Sequence, residues 1–277
     1  MRNRMRAQKK CCWQKISEFL EDKKLENKQP SFLDLILETH IGLERQGPGS
    51  PETMKQAIGF LGPVEQFQQI ADFGCGTGGQ TMLLAEHLPG TVTGLDMFPD
   101  FINRLTEKAK CRGLEGRVTG VVGKMESLPF QKKTFDLIWS EGAIDNIGFE
   151  KGLRHWHDFL KQGGYVAVTC PSWITKEHPA AVEQFWTEAG SRLDPVEKNI
   201  EIMQNSGYQF IASFVLPEEC WTENYFFPRA SAIQNLMNKY AQSDIMQEYA
   251  ERNRHEVELF LKYQQHYGYV FYIGRAI

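Results

Sequence analysis

The chain has 277 residues, 42% of them hydrophobic and 24% charged, with a formal net charge of −4. That length carries one large α/β domain with elaborations, and that balance describes a globular chain. It disfavours a nucleic-acid substrate, which would call for a basic excess, and no apolar run is long enough to span a bilayer. The six cysteines include no CxxC pair and the seven histidines show no metal-ligand spacing. The expectation is therefore a cytoplasmic chain with reduced thiols and no metal.

In chain order, residues 1–28 are polar and basic, and no hydrophobic stretch follows the leading charges. This predicts a tail or short helix over 1–30 rather than a secretory signal. Ser31 opens an amphipathic pattern running to Gln46, with Asp34 placed for a capping box. Gly47-Pro48-Gly49 interrupts it, Ser50 and Pro51 suit the start of a second helix, and Gly62-Pro63 stops that helix after Leu61. From residue 69, strands alternate with helices. The strands are Gln69–Phe73, Val92–Asp96, Val118–Val122, Phe135–Ser140 and Tyr165–Thr169; the helices are Gln80–His87, Phe98–Arg112 and Glu150–Lys161. Such alternation predicts a parallel sheet covered on both faces. Two later strands, Gln209–Leu216 and Tyr269–Gly274, flank a helix-rich stretch over Pro228–His266. With no internal repeat or low-complexity linker, residues 31–277 read as a single domain.

The chemistry concentrates at the carboxyl ends of the strands. After the first strand, Gly74, Gly76 and Gly78 strip side chains from a tight turn, and the helix beginning near Gly79 offers unpaired amides. Gly74-x-Gly76-x-x-Gly79 also fits a dinucleotide fingerprint. Asp72 separates the two readings. A carboxylate two residues before the first glycine does nothing for a pyrophosphate but favours a ligand bearing ammonium and sulfonium charges. Asp96, ending the second strand, fits either a partner for ribose hydroxyls or a cap for the following helix. Met97 and Phe98 are apolar flanks for an adenine. Glu141, after the fourth strand, fits either a carboxylate beside an acceptor or an acid at a helix start. Cys220-Trp221-Thr222-Glu223-Asn224-Tyr225-Phe226-Phe227 follows a strand with four aromatics. Trp221 and Tyr225 fit either a substrate wall or the seal of the insertion against the sheet.

The run Ile70-Ala71-Asp72-Phe73-Gly74-Cys75-Gly76-Thr77-Gly78-Gly79 resembles motif I of the class I S-adenosylmethionine-dependent methyltransferases. Leu128-Pro129-Phe130 followed by Thr134-Phe135-Asp136-Leu137-Ile138 resembles the small-molecule branch, which includes quinone-biosynthesis C-methyltransferases and coclaurine-type N-methyltransferases. The segments Arg45-Gln46-Gly47-Pro48-Gly49-Ser50 and Trp139-Ser140-Glu141-Gly142-Ala143 resemble a bacterial subgroup labelled norcoclaurine N-methyltransferase. The Glu and Glu-His pair of the coclaurine type is replaced here by Glu141 and Asp145, without a following histidine.

The resemblance covers residues 31–277. It implies a Rossmann-like seven-stranded sheet of order 3-2-1-4-5-7-6, last strand antiparallel, with a helical lid over 31–49 and an acceptor-side insertion over 217–266. It implies methyl transfer from S-adenosyl-L-methionine, leaving S-adenosyl-L-homocysteine, to the N, O or C of a small molecule, by a monomer or homodimer. The implied cofactor residues are Arg45, Asp72, Gly74, Cys75, Gly76, Gly78, Asp96, Met97, Met125, Glu126 and Ser140. Where many relatives have an adenine-binding aspartate this chain has Lys124, so backbone near Met125, or Glu126, takes that role. Glu141 is the catalytic candidate, and Glu141, Asn146, Trp221 and Tyr225 are the acceptor candidates. A nicotinamide-dependent oxidoreductase and a non-catalytic cofactor-binding protein are the competing readings.

Overall fold

The computed structural model describes residues 29–277; the tail expected over 1–28 lies outside the described residues. Helices α1 (Phe32–His40) and α2 (Pro51–Ile58) start at their capping residues. Ser31 accepts from the Asp34 amide while Asp34 accepts from the Ser31 amide, and Ser50 and Thr53 repeat the exchange ahead of Pro51. α1 stops six residues short of the predicted Gln46. The Gln46 side-chain amide donates to the His40 and Leu43 carbonyls, satisfying acceptors that a continuing helix would otherwise have used.

The sheet strands are β1 (Gln69–Phe73), β2 (Thr91–Asp96), β3 (Val118–Val122), β4 (Phe135–Ser140), β5 (Leu160–Trp173), β6 (Asp194–Pro195), β7 (Tyr208–Val215) and β8 (Tyr267–Ala276). Their order is β3-β2-β1-β4-β5-β8-β7, with β6 pairing the far end of β5. β8 runs antiparallel to both its neighbours, and the pairs from β3 through β5 are parallel. This is the expected seven-strand order with the two-residue β6 added. Between the strands lie α3 (Gly79–His87), α4 (Pro99–Arg112), α5 (Phe149–His157), α6 (Ala180–Glu188) and α7 (Val196–Asn205). The insertion holds α8 (Glu218–Trp221), a π-helical turn over Thr222–Phe226, α9 (Phe227–Lys239) and α10 (Asp244–Tyr263).

Alternation along the strands feeds two cores. Ile70, Val92, Leu137 and Ala167 join Met54, Met82, Leu105 and Trp221 on one face. Ala71, Leu95, Ile138 and Val166 join Leu153, Trp156 and Met203 on the other. A third cluster of Leu35, Ile233, Leu236, Met246 and Tyr249 binds α1 to α9 and α10. The N-terminal helix and the insertion, almost 200 residues apart in the chain, therefore share one small core of their own.

Candidate functional site

The glycine turn is held at the carboxyl end of β1 by β2. Gly74 and Cys75 donate their amides to the Leu95 carbonyl at 2.8 and 3.1 Å. Asp96 then closes the turn: one carboxylate oxygen accepts from the Gly76 amide at 3.0 Å, the other from the Phe98 amide at 3.0 Å. Burial raises the pKa of Asp96, and the amides of Phe98 and Gly76 oppose that rise. Gly76 has φ of 53°, and a Cβ there would collide with the Gln46 side chain, so glycine is required twice over.

Asp72 is fully buried. Its Oδ2 accepts from the Thr81 hydroxyl at 2.6 Å, while Oδ1 has no hydrogen-bond partner among the described residues. Burial pushes its pKa up to about 7; the Thr81 hydroxyl pulls the other way, and Glu141 and Asp96 add to the rise.

The segment after α1 lies across the turn. Gln46 accepts from the Thr77 amide at 3.0 Å and donates to the Thr77 hydroxyl at 3.0 Å. Glu44 pairs with Lys108 and Arg112 of α4, both at 3.1 Å. Arg45 reaches inward to Glu141, Nη1 to Oε2 at 2.7 Å, and both side chains are buried. The other Glu141 oxygen accepts from the Trp139 indole at 2.8 Å. Arg45 Nη2 is buried with no partner among the described residues.

These groups surround a cavity of about 400 Å³, within the usual range for small-molecule sites. It is lined by Arg45, Gly74, Gly76, Asp96, Met97, Met125, Glu126, Glu141 and Asn146 among the predicted residues, and also by Gln46, Gln80 and Lys124. The other candidates sit elsewhere, Asp72 among them: it is fully buried and does not line this cavity. The Cys75 side chain points into the core beside Gly94, so only its backbone belongs to the turn. A Cβ on Gly78 would strike Leu105, which makes that glycine a packing residue. Ser140 donates to the Phe73 carbonyl at 2.7 Å and ties β4 to β1.

A second cavity of about 520 Å³ adjoins the first and shares Gly47, Pro48, Phe98, Phe101, Gly142 and Asn146 with it. Tyr225 lines it, together with His40, Arg229 and Glu256. Trp221 does not: it is 1% exposed, stacked on Phe260 at 4.4 Å and packed against Tyr269. The substrate-wall reading of Trp221 is thus replaced by a core role. Gln46, His40, Arg229 and Glu256 were not singled out from the sequence. Gln46 stood inside a noted segment; Arg229 and Glu256 are ordinary helix residues whose partners only the fold supplies. Among the described residues, no group of three His, Cys, Asp or Glu is placed to hold a metal ion, and no helix is long and apolar enough to cross a membrane.

Residues 70–164 match the family model described as a methyltransferase domain. The chain is 27% identical over 222 residues to phosphoethanolamine N-methyltransferase 3 of Arabidopsis thaliana, covering 76% of this chain and 43% of that protein. It is 24% identical over 222 residues to demethylmenaquinone methyltransferase of Bacteroides fragilis, covering 79% of this chain and 83% of that protein. The chain spans less than half the length of the plant relatives that head these matches. Among solved structures it resembles phosphoethanolamine N-methyltransferase 2 of Haemonchus contortus in complex with S-adenosyl-L-methionine. That match has a TM-score of 0.67 and 19% identity, over 89% of this chain and 57% of that one, and it shows a shared fold.

Proposed function

We propose that this chain, which carries a class I methyltransferase domain, moves a methyl group from S-adenosylmethionine to the N, O or C of a small molecule. The charge of the first cavity is the observation that carries the proposal. Asp96 and Glu141 line it, Asp72 is buried behind them within their electrostatic reach, and Arg45 is already paired with Glu141. S-adenosylmethionine brings a sulfonium, an ammonium and one carboxylate, which this set complements. A nicotinamide dinucleotide would bring two phosphates among three carboxylates, where like charges repel strongly at low dielectric. The unmet buried atoms fit the same ligand: Arg45 Nη2 for its carboxylate, Asp72 Oδ1 for its ammonium.

When bound, the cofactor supplies a methyl group activated by the sulfonium and departs as S-adenosylhomocysteine. The residues of the chain bind and orient. Asp96, anchored by two amides, keeps lone pairs for ribose hydroxyls. Met97 and Met125 offer apolar flanks to adenine, and Glu126 or backbone near Met125 takes its amino group. Glu141 holds the Arg45 guanidinium rather than acting on the acceptor. Residues 31–49 serve as a lid, supported by the Gln46 contacts to Thr77, and residues 217–266 form the acceptor side of a single domain over 31–277. The relatives are named for small acceptors, phosphoethanolamine and demethylmenaquinone, which supports a small-molecule acceptor over nucleic acid. The proposal needs no metal. It places the chain in the cytoplasm, as a monomer or homodimer, with Cys75, Cys170 and Cys220 as buried thiols.

The test is titration calorimetry of S-adenosylmethionine and of NADH against the wild type and Asp96→Ala. The expected result is cofactor binding weakened by about 1–3 kcal/mol in the variant, the cost of hydroxyls left without a charged acceptor. Binding of NADH in preference, or an unchanged affinity in the folded variant, would overturn the reading.

A further inference from the structure

The second cavity joins the first at Gly47, Pro48, Gly142 and Asn146, so whatever occupies it lies next to the cofactor. Its far wall comes from the insertion and carries two guanidiniums. Arg229 is 3% exposed. Its Nη1 donates to Glu256 at 2.6 Å and to the Tyr225 hydroxyl at 2.9 Å. Its Nη2 is buried and has no partner among the described residues. A charged donor left unmet at low dielectric is costly, so it marks a place where an acceptor atom is due. Arg252, exposed at the rim, has its guanidinium 5.9 Å from the Phe32 ring and makes no ion pair among the described residues.

The hydroxyl of Tyr225 accepts from Arg229, so its own hydrogen remains to be given. The acceptor it has is His40 Nε2 at 3.4 Å, a long contact. His40 Nδ1 lies 2.8 Å from the Ile36 carbonyl. A carbonyl only accepts, so the proton sits on Nδ1 and Nε2 carries a lone pair. Burial and the nearby Arg229 push the histidine pKa down to about 4, against the bond to Ile36, so it is uncharged at neutral pH. On the acidic side, Glu256 answers one guanidinium. Asp145 stands where this cavity meets a third one. Its Oδ2 accepts from Ser191 at 3.0 Å, its Oδ1 has no partner among the described residues, and burial raises its pKa. The insertion's own charged side chains at this cavity, Arg229, Arg252 and Glu256, leave one positive charge in excess.

We propose that the acceptor carries an anionic group, a carboxylate or a phosphate, seated between Arg229, Arg252 and the Tyr225 hydroxyl, with its nucleophile toward Gly142 and Asn146. This rests on the methyl-transfer reading for the identity of the neighbouring ligand. A planar guanidinium with an unmet edge matches either oxyanion, and the aromatic surround of Phe185, Trp186 and Tyr269 accommodates an apolar body.

The test titrates phenyl phosphate, benzoate and benzyltrimethylammonium into the full chain saturated with S-adenosylhomocysteine. One of the two anions should bind, and the stronger of them identifies the group as phosphate or carboxylate. Arg252→Gln, on the exposed rim, should weaken that anion about tenfold, the size expected for a lost charged hydrogen bond. Arg229→Gln combined with Glu256→Gln removes the buried pair together, so no lone charge remains, and should abolish anion binding while S-adenosylhomocysteine still binds. Binding of the ammonium probe alone, binding of neither anion, or equal anion affinity in both variants would overturn the proposal. Failure of S-adenosylhomocysteine to bind would count against the methyl-transfer reading instead. The anion titrations are then run on the unliganded chain, with the same outcomes deciding the subsite.

Discussion

Replacing Asp72 by asparagine should remove a pH dependence of stability. Asp72 is fully buried, satisfied at one oxygen by Thr81 and unmet at the other, and burial lifts its pKa from 3.8 to about 7. Each tenfold in the acid constant is worth about 1.4 kcal/mol, so ionising this group costs the folded, unliganded chain about 4 kcal/mol in the limit of high pH. The sign follows from linkage. The folded pKa lies above the unfolded one, so the group's contribution is intact below pH 3.8 and is lost as pH rises through about 7. Asparagine has its own cost, an unmatched amide of about 1–3 kcal/mol, but that cost does not vary with pH. The quantity to measure is therefore the difference in unfolding free energy between variant and wild type, by urea titration at several pH values. Between pH 5 and pH 8 it should move by about 2–3 kcal/mol in favour of the variant. Saturating S-adenosylhomocysteine should flatten that slope in the wild type, because its ammonium compensates the carboxylate. A difference that stays constant with pH would refute the reasoning, since Asp72 would then be ionised and satisfied without a ligand.

Glu141→Gln should raise the KM for S-adenosylmethionine about tenfold with little change in kcat, because it releases Arg45 rather than removing a base. Gly49→Ala should do the same, since a Cβ there would sit 2.6 Å from both Arg45 Nη1 and Glu141 Oε2; a collapse of kcat at unchanged KM in Glu141→Gln would return the residue to the catalytic role expected from the sequence. Gln46→Ala should speed hydrogen exchange over residues 31–49 in the unliganded chain without unfolding it, and exchange equal to wild type would mean that the Thr77 contacts do not hold the segment. Trp221→Ala should cost about 3–5 kcal/mol of stability, the usual range for a buried aromatic. Tyr225→Phe should cost less stability than Trp221→Ala, about 1–3 kcal/mol for the hydrogen-bond acceptor that Arg229 loses, and raise the acceptor KM; the opposite pattern in these two variants would restore Trp221 to the pocket wall.

The sheet could be read from the sequence where the strands are short, contiguous apolar runs bounded by polar or turn residues. From Gln69 to Ser140 the apolar runs and their boundaries follow from local pattern, and the structure places β1 to β4 where expected, apart from an additional residue at the start of β2. Reading fails where stability comes from distant partners. β5 was expected as five residues, Tyr165–Thr169, but spans Leu160–Trp173: β8 pairs along it from Tyr165 to Trp173, and Leu160 pairs with Phe135 of β4. α6 and α7 bury only Val182 and Trp186, and Asn199 and Met203, respectively, too few apolar positions to declare a helical face in advance. α1 ended early because of a side chain six residues beyond its last turn, which no propensity records.

The same division runs through the site. Asp96 and the glycines were legible because strand, turn and helix are contiguous and the chemistry is set within a short stretch. Arg45 with Glu141, and His40 with Tyr225, are pairs made across 96 and 185 residues, and nothing local marks one member for the other. Which side chains of a segment face the cavity is partly readable in advance. Side chains alternate along a strand. In Trp139-Ser140-Glu141, the first and third must share a side, and the Trp139 indole does bond Glu141 while Ser140 turns away to the Phe73 carbonyl. Cys75 also points to a core, but no alternation places it there: Gly74 and Gly76 have φ of 72° and 53°, and Phe73 and Cys75 fall in opposite cores. A motif names backbone positions in such a turn. Alternation says which of its side chains a ligand can meet only while the backbone stays extended, as it does through Trp139 and Ser140.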